Sequence, residues 1–108
     1  MNIFDAIAPP GTDEEITQLA QAGGVRIERM VSHGHRSAPG FWYDQDEDEW
    51  VLVARGSGTL AFADGRTVTL AAGDHLFIPA HARHRVEATA PETVWIAVFM
   101  PKASPAAT

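Results

Sequence analysis

The sequence predicts an all-β domain, a sandwich or barrel of short strands, preceded by one short N-terminal helix. Three observations lead there. Apolar and β-branched residues alternate in several short runs, turn-forming glycines punctuate those runs at close spacing, and a single stretch carries helix start and stop signals. Many short strands at regular spacing are the pattern of a sandwich or barrel.

The helix is expected within "GTDEEITQLAQAGG". Thr12 and Glu15 have the spacing of a capping box, and the acids Asp13 to Glu15 suit the positive end of a helix. Ile16, Leu19 and Ala20 form a short apolar stripe, and Gly23-Gly24 ends it. The first strand covers 25–31, with Val25, Ile27 and Arg29 on one face and Arg26, Glu28 and Met30 on the other. Runs at 49–55 and 58–63 are joined by Gly56-Ser57-Gly58, and the Asp64-Gly65 pair is a hairpin signal before a further strand. Strands at 75–78, 83–89 and 93–99 follow, and the small, polar tail over 101–108 is expected to be disordered.

Composition bounds the function. A chain of 108 residues is one domain, and a formal net charge of −6 argues against nucleic-acid or anionic-membrane surfaces, which attract clustered Lys and Arg. The absence of cysteine excludes disulfides, thiolate catalysis and thiolate metal ligands. No apolar run approaches the roughly 20 residues of a membrane span, and the first ten residues lack the basic and apolar regions of a secretory signal. A cytoplasmic location is the expectation.

The chemistry centres on "WYDQDEDEWVLVARG", where five acids fall within the six residues from Asp44 to Glu49. Glu49 begins the apolar strand and is expected to point inward, whereas Asp44, Asp46, Glu47 and Asp48 are expected to face solvent. Six residues separate Glu49 from Gly56, five separate Gly73 from Pro79, and four separate Pro79 from His84. With "AAGDHLFIPAHARHRV" around them, these spacings resemble the two conserved motifs of the cupin superfamily over roughly residues 25 to 100.

That resemblance implies a double-stranded β-helix, or jelly-roll, barrel over 25–100, an N-terminal segment over 1–24 and a tail over 101–108. It implies one divalent metal ion inside the barrel (Fe, Mn, Ni or Zn), with Glu49 and His84 matching the family glutamate and second-motif histidine. The family's His-x-His positions fall on Tyr43 and Gln45. The implied ligand set is therefore Gln45, Glu49, His84 and Tyr43, with Tyr43 as fourth ligand or as general acid and base. His81 stands where the second motif has glycine, and Ala88 where it has asparagine.

"VSHGHRS" holds a literal His-x-His, but thirteen residues lie between His35 and Glu49, too many for the motif. His35 is a further candidate ligand if its loop folds over the barrel mouth; His33, His75 and His81 read as loop or surface residues. Trp50 and Leu52 alternate with Glu49 and form an outward apolar patch, from which a homodimer is expected. Two functions follow from the resemblance: a metal-dependent enzyme of oxygenase, isomerase or lyase type acting on a small organic molecule in the barrel, or a non-catalytic small-molecule or metal-binding module.

Overall fold

The computed structural model describes residues 1–103 and is all-β. Eight strands run β1 (Glu15–Ala22), β2 (Val25–Ser32), β3 (Glu47–Arg55), β4 (Ser57–Phe62), β5 (Thr67–Ala71), β6 (His75–Ile78), β7 (His84–Thr89) and β8 (Thr93–Pro101). They form a five-stranded sheet in the order β1-β2-β8-β3-β6 and a three-stranded sheet in the order β5-β4-β7. All pairings are antiparallel. Between the sheets lies a core that includes Val51, Val53, Leu60, Phe62, Ile78, Trp95, Ala97 and Phe99.

The expected N-terminal helix is absent; the same residues form β1. Gly23 and Gly24 both have positive φ, 57° and 80°, and link the paired residues Ala22 and Val25 as a two-residue hairpin turn. A Gly-Gly that reads as a helix stop is therefore a strand reversal. The would-be capping acids are used elsewhere. Glu14 accepts from the Ser32 hydroxyl, and Glu15 pairs with Arg29 at 2.6 Å and accepts the Ala8 N–H. Ile16 and Leu19 stay 61% and 44% exposed, so no groove awaits the apolar stripe of a helix. The ladder to β2 holds the segment instead.

Arg29, buried on the outer face of β2, donates to the carbonyls of Ile3 (3.1 Å) and Asp5 (2.6 Å), which ties the N-terminal segment across that strand. The β4 strand follows Gly56, whose φ of 81° makes the turn out of β3. At Gly58 a Cβ would lie 2.3 Å from the buried indole of Trp95, so only glycine lets the two sheets close there. Residues 101–103, assigned to the tail, are held: Pro101 ends β8, Lys102 reaches Asp46, and the Ala103 N–H donates to Asp48. The rest of the expected tail, 104–108, lies outside the described residues.

Among the described residues no helix is long and apolar enough to cross a membrane.

Candidate functional site

Between the sheets, toward the β1–β2 end, lies a cavity of about 170 Å³. Tyr43, Gln45, Glu49 and His84 all line it, so four of the five predicted site residues are brought together. The strand alternation explains Glu49: it shares its face with Val51 and Val53, which enter the core. Tyr43 and Gln45 come from the irregular stretch between β2 and β3, laid along β7 by backbone bonds. The Tyr43 N–H donates to the His84 carbonyl at 2.7 Å and the His84 N–H to the Tyr43 carbonyl at 3.2 Å. This bridge stacks the Tyr43 and His84 rings with centroids 5.4 Å apart and 26° between planes.

His84 Nδ1 lies 2.7 Å from the carbonyl of Ala82. A carbonyl only accepts, so Nδ1 carries the proton and Nε2 presents a lone pair. That Nε2 faces the Glu49 carboxyl at 3.8 Å, beyond hydrogen-bond length. Both side chains are more than nine-tenths buried. Burial, reinforced by the charge of Glu28, pushes the Glu49 carboxyl up to about 7. Burial also depresses the His84 imidazole, while the bond to Ala82 partly opposes it. Each group is driven toward its neutral form unless a cation or a ligand stands between them.

A cation beside the Tyr43 phenol would increase its acidity. In the protein without such an ion, burial first, then the charges of Glu14 and Glu49, push its pKa up and hold the proton on the phenol. The hydroxyl therefore stays protonated, able to donate a hydrogen bond, and is not a phenolate.

The structure places His35 apart from the cavity, in an adjoining groove beside Thr12, Asp13 and Arg36. Its Nδ1 accepts the His33 N–H at 2.9 Å, so Nε2 is protonated and points at the carbonyls of Gly11 and Thr12, each at 3.2 Å. Neither nitrogen is free to ligate. Among the described residues, no three side chains of the His, Cys, Asp and Glu types gather into a metal-holding group.

The acids of the 44–49 run divide differently from expectation. Asp44 and Asp46 are exposed, but Glu47 pairs with Arg26 at 2.5 Å, and Asp48 is buried. Asp48 turns in because it accepts two backbone N–H groups, of Ala80 (2.8 Å) and Ala103 (3.1 Å), which fasten the β6–β7 turn and the end of β8. A solvated carboxylate offers the chain neither of these anchors.

Sequence reasoning missed two parts of the site. The first is the far wall, to which Glu14, Arg26, Glu28 and Met30 contribute. The shared face of Arg26, Glu28 and Met30 was legible, but a face with two charges reads as solvent-facing until the cavity is seen. The second is His81, a non-glycine residue with φ 64° at the family's glycine position. The strain is offset locally: its ring nitrogens lie 2.7 Å from Asp44 and 3.1 Å from Asp46, which raise its basicity. Its N–H donates to the Gln45 carbonyl at 2.8 Å, so His81 holds the segment that puts Gln45 on the cavity wall. Asp44 and Asp46, flanking Gln45, were the available signal.

Comparison with known proteins agrees with this geometry. Residues 27–99 match the family described as "Cupin domain". No curated protein matches the chain. A crystal structure from Ralstonia eutropha JMP134, provisionally named a mannose-6-phosphate isomerase, is 40% identical with a TM-score of 0.88, covering 94% of this chain and 96% of its own. A cupin superfamily protein from Desulfitobacterium hafniense DCB-2 is 21% identical with a TM-score of 0.75 (89% and 84% covered), a likeness of fold alone. A Neisseria meningitidis protein is likewise similar in fold, at 18% identity and TM-score 0.72, with 93% and 97% covered. With both motif anchors, Glu49 and His84, meeting in the barrel and the family pattern spanning most of the strands, this chain belongs to the cupin family.

Proposed function

We propose that this cupin holds one divalent metal ion, Fe, Mn, Ni or Zn, on Glu49 and His84, with the Gln45 carbonyl and the Tyr43 phenol beside them, and acts on a compact organic molecule bound in the same cavity. The observation that carries the reading is the pair itself. An imidazole lone pair and a buried carboxyl face each other at a separation too long for a hydrogen bond and suited to two ligands of one ion. The bond from His84 Nδ1 to Ala82 is the outer support that fixes a ligating imidazole in one tautomer. The O-rich set with one imidazole suits a borderline or hard cation, with metal availability deciding which.

A bound divalent ion would supply Lewis acidity toward an oxygen of the ligand. The chain's own residues do the rest: Val51, Leu60, Ile78 and Phe99 exclude water, and un-ionised Tyr43 stands ready to donate a proton at its hydroxyl. Of the oxygenase, isomerase and lyase types that the resemblance implies, the isomerase name of the Ralstonia relative supports the isomerase type.

A second reading rests on a separate observation, that among the described residues no three His, Cys, Asp or Glu side chains gather into a metal-holding group. A proton then takes the place of the metal, and the barrel is a binding module in which Glu49 donates and His84 Nε2 accepts.

Metal content decides between them, measured by plasma mass spectrometry on untagged protein purified without chelator or nickel resin. About one equivalent per chain, lost in both Glu49→Ala and His84→Ala, is the expected result. Less than about a tenth of an equivalent with no uptake on adding metal establishes the second reading. Full occupancy retained in both variants would place the metal elsewhere.

A further inference from the structure

The charge around the cavity is one-sided. Three carboxylates line it, Glu14, Glu28 and Glu49, against the single cation Arg26. Arg26 is not available to a ligand: it pairs with Glu28 at 3.0 Å and with Glu47 at 2.5 Å, and its guanidinium lies 4.3 Å over the Phe99 ring. One guanidinium shared by two carboxylates leaves that cluster net negative. Glu28 stands two strands from Glu49, with β8 between them, so the β1–β2 end stays acidic whether or not an ion occupies Glu49 and His84.

An anion would find little to hold it. Phosphate and carboxylate are recognised by free Arg or Lys, by helix N-termini or by glycine-rich nests. No lysine lines the cavity, and the described fold has no helix to offer an N-terminus. Against this, Tyr43, Trp95 and Phe99 supply aromatic surface, and the Arg26–Phe99 stack shows that a planar cation is already accommodated at this wall. Glu49 is 6% exposed and faces the His84 imidazole at 3.8 Å, beyond hydrogen-bond length, so no cation is bonded to this buried carboxyl of the cavity. The volume of about 170 Å³ is below the roughly 300–1,000 Å³ of pockets for drug-sized ligands.

We propose that the cavity selects a compact organic amine, bound as its ammonium form toward Glu14 and Glu28 against the aromatic wall, and rejects phosphorylated and carboxylated molecules. The inference rests on the reading of the barrel as a ligand site and names the ligand's charge. It also separates this chain from the sugar phosphate in the name of its Ralstonia relative.

The test uses three-carbon probes that differ only in their head group, propylamine, propanol and propionate, together with mannose 6-phosphate. Each is titrated at matched ionic strength into metal-stripped and into metal-loaded protein, following the indole N–H resonance of Trp95, which lines the cavity. Propylamine is expected to give a saturable shift and to bind roughly ten-fold tighter than propionate, with propanol between. In Glu14→Gln/Glu28→Gln that preference should fall to about two-fold or less while propanol binding is unchanged. Propionate or mannose 6-phosphate binding as tightly as propylamine overturns the proposal, as does a preference that survives in the double variant. The absence of any saturable shift overturns it too. Metal content is read separately, so a metal-bearing barrel that prefers propionate refutes the ligand class and leaves the metal reading standing.

Discussion

The His84 imidazole and the Glu49 carboxyl face each other across 3.8 Å inside the barrel, each more than nine-tenths buried. One comes from β7 of the smaller sheet and the other from β3 of the larger, so the pair exists only when the two sheets close on each other.

Stability should report on that pair. The folded carboxyl of Glu49 titrates at about 7, above its ordinary 4.5, so the folded state binds a proton more tightly than the unfolded chain. The stability this contributes is complete below 4.5 and is lost as pH rises through about 7. In metal-stripped protein, Glu49→Gln should remove the slope between those values and be more stable than wild type at pH 8, by at most about 3 kcal/mol. Denaturant titrations across pH check this. Added divalent cation should restore wild-type stability at pH 8 and leave the variant unmoved.

The closing of the sheets has its own probe. Because a Cβ at Gly58 would lie 2.3 Å from the Trp95 indole, Gly58→Ala must displace a ring that is 3% exposed. Overpacking of this kind costs about 1–3 kcal/mol, and a domain of this size should lose at least about 4 °C in Tm. An unchanged melting curve would mean that the indole has room to move.

Asp48 predicts a different loss. Asp48→Ala strands the N–H groups of Ala80 and Ala103, which should cost about 1–2 kcal/mol by denaturant titration. Asp44→Ala, on an exposed acid, should cost less than about 0.5 kcal/mol.

We also propose a homodimer through the outer face of the five-stranded sheet. Trp50 stands in register between Val98 and Phe77, and Leu52 beside Ile96. Phe77 is 50% exposed, so this row is an apolar strip open to solvent in the single chain. Sedimentation should give a dimer at micromolar concentration and a monomer for Trp50→Glu/Phe77→Glu. A wild-type monomer would refute it.

Strands and turns were legible because their signals are local. Alternation is carried within each run, and Asp64-Gly65 or Gly56 dictates a reversal without reference to the rest of the chain. Glu49 was legible for the same reason, as the polar first member of an apolar face, and His84 through motif spacing. Residues 15–22 were misread because capping acids and a Gly-Gly stop satisfy helix and hairpin equally. The pairing of Glu15 with Val31 and of Ala22 with Val25 decided between them.

Sequence alone thus determined an all-β cupin barrel and singled out Glu49 and His84, which line its cavity. Tertiary structure decided which charges share the cavity with them. Arg26 and Glu28 enter because β2 lies beside β8 in one sheet, and Glu14 enters from the residue before β1. Asp48 is buried outside the cavity, where it holds two distant backbone groups, and His35 stays out because its ring is already bonded. The physical reason is range: turn chemistry acts within a few residues, whereas burial and electric field at a site are set by whichever strands become neighbours.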